Sequence, residues 1–509
     1  VATLFLALDI GTTNIKAGVV DEKGKLLATV IRTNRKNQHT QGYVYYDPHE
    51  LWRTITSLIR EVIAAAGSIS SIRSVGITSM AESGLLVDRH SGAVRTMIIP
   101  WFESCALPQE RLIKQEIDAY EQFCQSGLHP SFKQGLSKLL WIQETQPEAL
   151  NGSVWLSVSS YVAYLLSGKF AEEETLAART FVYRMDQREW HLPLIRHFGL
   201  LESHFPTVVA TGTTIGDVLP DVSLGLGLGT GVAVCLAGHD HVCASLTIGQ
   251  PELGIVYNSM GTAETLVGNF GARELGEDDY ESGLAFGRHP LTDRMFWMGG
   301  HSASGGSVEW LRELLDTGAL SYSDIMSLLE QVDPGPTGIL YYPYLSGCGA
   351  PSTSAMAKAA WIGLNARHHR GDMFKAVLEG NAYQMEWLRQ EAEKIGRETI
   401  NKLVVVGGGA KNKHWMQIKA DVSGIDLHYP DLPEATLLGA ALTAGVGSGV
   451  YRSFEEAMRA VPAGSLQIYR PDLAKHDQYQ SIFENGFAHL RPMLLAYDLW
   501  LMQQFTNES

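Results

Sequence analysis

Residues 6–24 read LALDIGTTNIKAGVVDEKG. The apolar run 4–8 is β-prone and delivers the carboxylate of Asp9 at its end. Gly11-Thr12-Thr13-Asn14 then turns the chain into a second predicted strand, 15–20. A third, 25–31, follows Asp21-Glu22-Lys23-Gly24, whose glycine supplies the positive φ a hairpin needs. A strand ending on a carboxylate, followed by a glycine turn with free N–H groups and two hydroxyls, can hold phosphate oxygens. The carboxylate is placed to organise Mg²⁺, often through water. A plain hairpin turn has the same composition, so this segment alone leaves both readings open.

Outward from the hairpin, strand and helix signals alternate. Asp47 is a candidate N-cap, with Pro48 at the first helical position. Leu51, Ile55, Leu58, Ile59, Val62 and Ile63 keep helical spacing until Gly67. Strands are expected at 72–77 and 85–88. The pattern then recurs: strand 255–258, turn Ser259-Met260-Gly261-Thr262, strand 263–267. Later, strand 403–406 runs into Gly407-Gly408-Gly409, and a helix follows through Trp415, Ile418 and Val422. A small-residue helix covers 435–446, where Gly439, Ala440 and Ala441 permit close packing. Two strand-turn-strand units, each with a Gly-Thr pair, suggest a weak internal duplication and a domain boundary near residue 250. The 509 residues exceed one core on a prior of about 150 residues per domain. The expected division is 1–249 and 250–509.

Composition narrows the class. With 45% hydrophobic and 19% charged residues, the chain is globular rather than disordered. A net charge of -15 disfavours nucleic acid or an anionic membrane surface as partner. It is compatible with ATP, whose phosphates are met by local N–H groups and a metal ion. The five cysteines are widely spaced without a C-x-x-C, which fits a reducing cytoplasm rather than a disulfide framework. The N-terminal apolar run lacks a basic region and reaches Asp9 too soon for a signal peptide. No run of about 18 apolar residues predicts a membrane helix.

The second turn, Gly261-Thr262, strengthens the phosphate reading, because two such turns can grip a polyphosphate between halves. The glycine run at 407–409 fails the dinucleotide fingerprint, since Asn412 stands where its last glycine belongs. The G-x-x-x-x-G-K-[ST] phosphate loop is absent as well. Gly238-His239-Asp240-His241 follows an apolar run and precedes helix-compatible residues. Asp240 is either a helix N-cap or a general base that accepts the proton of an attacking hydroxyl. His239 and His241 could suggest a metal site, but no third ligand is evident.

Taken in order, these segments resemble the FGGY-type carbohydrate kinases, relatives of actin and hexokinase, over nearly the whole chain. Residues 6–24 are similar to that family's first phosphate segment. GHDHVCASLTIG (238–249) resembles its catalytic-aspartate segment, and NSMGTAETLVG (258–268) its second phosphate segment. Residues 343–385 resemble the family signature, while 404–430 and 434–451 resemble the adenosine segment. The resemblance implies two α/β domains of actin-like (ribonuclease H-like) fold, with mixed sheets flanked by helices and a central cleft. It implies ATP and Mg²⁺ as cofactors and a small sugar or polyol as substrate. Asp240 would be the base, and Asp9 with Asp240 would organise Mg²⁺. Thr12, Thr13, Gly261 and Thr262 would face the phosphates. Gly305, Gly409, Ala410 and Asn412 would hold the nucleotide. Met80, Glu82, Trp101 and Glu103 fall where relatives contact the sugar, and a homodimer is the candidate assembly.

Several residues depart from the family's usual patterns. Xylulokinases usually carry Met-His where this chain has Met80-Ala81-Glu82. Glycerol kinases usually carry Arg-Glu, of which only the carboxylate is kept. The usual Trp-x-Asp is Trp101-Phe102-Glu103, and His241 follows Asp240 where xylulokinases have Asn or Ala. Length and domain order remain nearest the xylulokinase-like branch, with D-xylulose the first candidate and L-fuculose, ribulose, erythritol and glycerol the alternatives. Two rival classes are a non-catalytic actin-like scaffold, for which Asp240 would only cap a helix, and a serine hydrolase. The latter rests on Gly300-His301-Ser302-Ala303-Ser304, which approaches G-x-S-x-G but ends in serine.

Overall fold

The computed structural model describes residues 2–67, 72–249, 252–316, 320–432, 434–462 and 464–506. The expected hairpin is present as β1 (Leu4–Ile10) and β2 (Asn14–Asp21), paired antiparallel with Asp9 opposite Lys16. β3 (Leu26–Thr33) extends it. Helix α1 (Pro48–Ala66) starts where its cap predicts: Asp47 accepts from the N–H groups of His49 and Glu50, and Gly67 closes it at φ 70°. Its apolar stripe is buried in the same core as β1 and β2. Each fully buried aliphatic side chain there contributes about 1.5–3 kcal/mol.

The chain next forms β4 (Ile72–Ser79), α2 (Glu174–Ala178), β5 (Thr214–Asp217), β6 (Ala233–His239) and α3 (Asp240–Ser245). The first sheet has the order β5-β6-β4-β1-β2-β3. β1, β4 and β6 are parallel neighbours, so their C-terminal ends lie side by side. Such ends are where open α/β sheets bind ligands.

The second half repeats the plan. It contains β7 (Ile255–Met260), β8 (Glu264–Gly271), β9 (Ala285–Arg288), β10 (Arg294–His301), α4 (Gly305–Asp316) and α5 (Arg370–Gly396). These are followed by β11 (Lys402–Val406), α6 (Lys413–Ser423), β12 (Asp426–Pro430), α7 (Ala435–Gly447) and β13 (Leu466–Tyr469). The sheet order is β9-β10-β8-β7-β11-β12-β13. Apart from the added β9, this matches the first sheet strand for strand, with the same parallel and antiparallel pairs. The duplication is therefore far clearer in topology than in sequence.

The expected boundary at 249/250 abuts residues 250 and 251, which lie outside the described residues. Packing also departs from chain order. Helix α7 comes late in the chain yet lies on the first sheet and on α3, sharing a core with Phe5, Ala7 and Cys243. A Cβ on Gly76 would stand 2.0 Å from the Ala440 carbonyl oxygen, and one on Gly439 2.1 Å from that of Cys243. The small residues of α7 are needed because backbone meets backbone at this seam between the halves.

Candidate active site

Asp9 and Asp240 stand at the ends of β1 and β6, on either side of β4. Asp9 is buried, and Lys16 Nζ lies 3.7 Å from its carboxylate while bonding Glu434 at 2.7 Å. Burial pushes the Asp9 carboxyl up to about 7; Lys16 opposes this, and the charges of Asp240 and Glu434 add to it. Asp240 is not the helix cap. That role falls one residue earlier to His239, whose Nδ1 accepts from the N–H of His241 at 3.2 Å and lies 2.8 Å from Asp240 Oδ1. Burial raises the Asp240 carboxyl, but His241 and His239 outweigh it, and the net shift is down to about 2. The Asp240 side chain keeps 23% of its surface open. It is thus an ionised acceptor that remains reachable.

The backbone leading to Asp240 is clamped from both sides. Thr78 Oγ1 donates to the Gly238 carbonyl at 2.7 Å, and the His239 N–H donates to Thr175 Oγ1 at 2.9 Å. Gly238 has φ 75°, and a Cβ there would stand 2.3 Å from Glu173 Oε2. Only glycine fits between this strand end and α2.

Of the six residues expected at the sugar or the first turn, Thr12, Met80 and Trp101 are bonded to one another and Glu82 lies within electrostatic reach of His239. Trp101 Nε1 donates to Thr12 Oγ1 at 2.9 Å, and Thr12 Oγ1 donates to Met80 Sδ at 3.7 Å. The Thr12 hydroxyl is therefore engaged on the expected sugar side rather than toward phosphate; Thr13 is exposed and Gly11 partly so. Lys133 Nζ lies 5.2 Å from the centre of the Trp101 ring. Glu82 adopts φ 59°, with Arg179 Nη1 3.5 Å from its carboxylate. Burial raises the Glu82 carboxyl, but Arg179, Lys133, His239 and Lys138 together hold it below its usual value. Glu103 is differently occupied. One oxygen accepts from the Val44 N–H at 2.7 Å and the other caps a short helix through the Cys105 N–H at 3.1 Å. Both interactions are with backbone, one two residues on and the other 59 positions away.

The second turn opens onto a cleft of about 820 Å³, within the range of sites for small organic ligands. Gly261, Thr262, Gly305, Gly409 and Asn412 line it, as do Glu309, Tyr322 and Met326, which the sequence reading did not single out. The N–H groups of Gly305 and Gly306 bond the carbonyls of Gly261 and Thr262 at 3.1 and 3.0 Å, joining α4 to the turn. Gly407 has φ 99°, and a Cβ there would meet the Met260 carbonyl oxygen at 2.5 Å. Asn412 caps α6 by accepting from His414 and Trp415 N–H groups. Ala410 is fully buried and absent from the lining; its methyl faces the core. The cleft's glycine backbones and mixed apolar wall fit a nucleotide, and the carboxylate pair fits Mg²⁺, which usually takes one or two carboxylates plus substrate phosphates. Among the described residues no three His, Cys, Asp or Glu side chains could hold a metal ion by themselves.

Beneath this second turn lies an ion pair with no sequence motif to announce it. Glu264 and Lys419 are both fully buried and bonded to each other. Ser304 Oγ and Asn258 Nδ2 also donate to Glu264, at 2.8 and 3.0 Å. The pair thus connects the turn, the entry to α4 and helix α6. One signal could have found it: Lys419 stands among Trp415, Met416, Ile418 and Val422 on an otherwise buried helix. The serine-hydrolase reading gains no support, because Ser302 is exposed while the ring of His301 is buried and bonded to Asn381 at 2.7 Å.

Two sheets of matching order, with glycine turns and carboxylates at their strand ends, define an actin-like phosphotransferase fold. The chain belongs to the FGGY family of carbohydrate kinases: the N-terminal domain model of that family matches residues 4–247 and the C-terminal one residues 256–448. It is 27% identical over 490 residues to a xylulose kinase of Staphylococcus epidermidis, covering 95% of this chain and 96% of that protein. It is 28% identical over 471 residues to an L-fuculokinase of Escherichia coli O157:H7, covering 89% and 94%. In structure it is similar to gluconate kinase from Lactobacillus acidophilus, with a TM-score of 0.89, 18% identity and coverage of 98% and 100%. The protein is an ATP-dependent sugar kinase. Among the described residues no helix is long and apolar enough to cross a membrane.

Proposed function

We propose that this kinase phosphorylates a primary hydroxyl of a small sugar or polyol, D-xylulose first, with Asp240 as the base. The relatives' names include xylulose kinase, glycerol kinase and L-fuculokinase and so support more than one acceptor; L-fuculose, ribulose, erythritol and glycerol are the alternatives. The division of labour we assign is residues 1–249 for sugar and catalysis and 250–509 for nucleotide, with α7 as the seam.

The observation that carries the reading is the pair Asp9 and Asp240 at the ends of β1 and β6, on either side of β4, one carboxyl held up and the other held down. Both carboxylates also lie within electrostatic reach of Tyr257 on β7 in the second half. Asp240 orients the hydroxyl and accepts its proton as the oxygen attacks. Bound Mg²⁺ and ATP supply the phosphoryl group and the counter-charge for it; Asp9, helped by Asp240, would hold the ion. Backbone N–H groups at Thr12, Thr13 and Thr262 meet the phosphates, and Gly261, Gly305, Gly409 and Asn412 shape the nucleotide cleft. Closure of the halves excludes water and limits wasteful hydrolysis of ATP.

A coupled ADP-release screen over the five acceptors tests the sugar. Asp240→Ala tests the base: sugar-dependent turnover should fall about 10²–10⁴-fold while ATP binding is retained. Undiminished turnover would remove Asp240 from the role.

A further inference from the structure

We infer that Arg179 is a further substrate-contacting, specificity-determining residue: with Glu82 it forms a donor–acceptor pair for two neighbouring hydroxyls of the acceptor. The inference rests on the kinase reading above and deepens it.

The argument begins with an unfinished ion pair. Two arginine–carboxylate pairs elsewhere in this protein show what closing both prongs looks like. Arg389 reaches Glu386 at 2.8 Å twice, and Arg273 reaches Asp279 at 2.6 and 2.7 Å. Arg179 instead stands 3.5 Å from Glu82 through Nη1, and its Nη2 is buried without an acceptor. The side chain is only 8% exposed. A guanidinium cannot lose its charge, so an empty buried prong is unfavourable until an oxygen fills it.

The surroundings hold this geometry open. The Arg179 carbonyl accepts from the Gly135 N–H at 3.2 Å, and the next carbonyl from Leu136 at 2.9 Å. Opposite, the Glu82 backbone sits at φ 59°, a region unfavourable for a residue with a Cβ, and the buried Lys138 ammonium binds its carbonyl. Such strain persists when neighbours over-determine it, and it concentrates at binding sites. The Glu82 carboxylate is 19% exposed and so is open to a ligand. Arg179 also lies within electrostatic reach of Asp240 and His241. A hydroxyl donating to Glu82 therefore brings its neighbouring oxygen beside the empty prong, next to the base. A vicinal diol offers this donor and acceptor together.

The test uses the full-length enzyme with whichever of D-xylulose, L-fuculose, ribulose, erythritol and glycerol it turns over fastest, together with the single-deoxy analogues of that acceptor. Arg179→Met should lower kcat/KM for the acceptor about 100-fold, as loss of a charged hydrogen bond does. KM for ATP and the Tm should stay near wild type. Wild-type enzyme should discriminate strongly against one deoxy analogue, and Arg179→Met should lose most of that discrimination. Arg179→Lys, which keeps charge without the fork, should recover part of the rate. If Arg179→Met does not fold, the deoxy series on Arg179→Lys carries the test. Discrimination as sharp as in wild type, or a fall in Tm with both KM values rising together, overturns the inference. Asp240→Ala separates the two readings: if it is inactive while Arg179→Met is normal, only the Arg179 inference fails. Full activity of Asp240→Ala would fault the base assignment instead.

Discussion

The turns at Gly11 and Gly261 close with nearly the same bond, Gly11 N–H to the Asn14 carbonyl at 3.0 Å and Gly261 N–H to the Ala263 carbonyl at 2.9 Å. Their acids are placed differently. In the first half the acid precedes the turn, as Asp9, where Ser259 stands in the second. Its lysine, Lys16, is partly exposed and shared with Glu434. In the second half the acid follows the turn, as Glu264, and is sealed with Lys419 out of contact with water. The first acid is buried too, but its lysine is partly open to solvent. The other is neutralised and braces a cleft whose own contacts are mostly uncharged backbone. A duplicated scaffold has therefore placed carboxylates for two different tasks.

Breaking each pair should expose that difference. Lys419→Met strands Glu264 as a buried charge and should cost about 3–5 kcal/mol, read as a fall in Tm. The double variant Lys419→Met, Glu264→Gln should recover most of the loss. Lys16→Met, in the more open first half, should cost no more than about 1 kcal/mol. Equal losses at the two sites would contradict the contrast.

A smaller effect is expected at the join between α4 and the second turn. A Cβ on Gly305 would stand 2.6 Å from the Gly261 carbonyl oxygen, whereas one on Gly306 meets nothing nearer than 3.3 Å. Gly305→Ala should raise KM for ATP about tenfold, equivalent to roughly 1.4 kcal/mol, and leave KM for the sugar unchanged. Gly306→Ala should change both little. A pH-dependent effect is expected at Glu379, behind the nucleotide half. Burial lifts its carboxyl to about 7, against Thr337, Lys375 and Tyr479. Because the folded value lies above the unfolded one, this contribution to stability is complete below about pH 4.5 and declines as pH rises toward 7. Glu379→Gln should flatten that part of the Tm–pH profile.

Much of the scaffold was legible from residues 4–33 and 47–67, because hairpins and capped helices are written in local spacing, glycine φ and cap chemistry. The second hairpin at 255–271 was legible for the same reason. The site was legible in part. Gly261, Thr262, Gly305, Gly409 and Asn412 do line one cleft, but Ala410 faces the core and Glu103 is engaged by Val44 and Cys105. Nothing within a few residues of Glu103 in sequence says that Val44 will arrive beside it. Arg179 went unnoticed because its partner, Glu82, lies 97 positions away, and Lys419 because its partner lies 155 positions away.

By itself the sequence determined the repeated strand-turn-strand units, the helix starts, and an ordered set of motifs sufficient for the kinase family. Those follow from interactions between near neighbours in the chain. The tertiary structure alone decided that His239 rather than Asp240 caps α3, and that the Thr12 hydroxyl meets Trp101 and Met80. It alone carried α7 onto the first sheet and left one prong of Arg179 empty beside Glu82. These depend on strand register and on backbones from distant segments meeting at glycine, relations that no local pattern encodes.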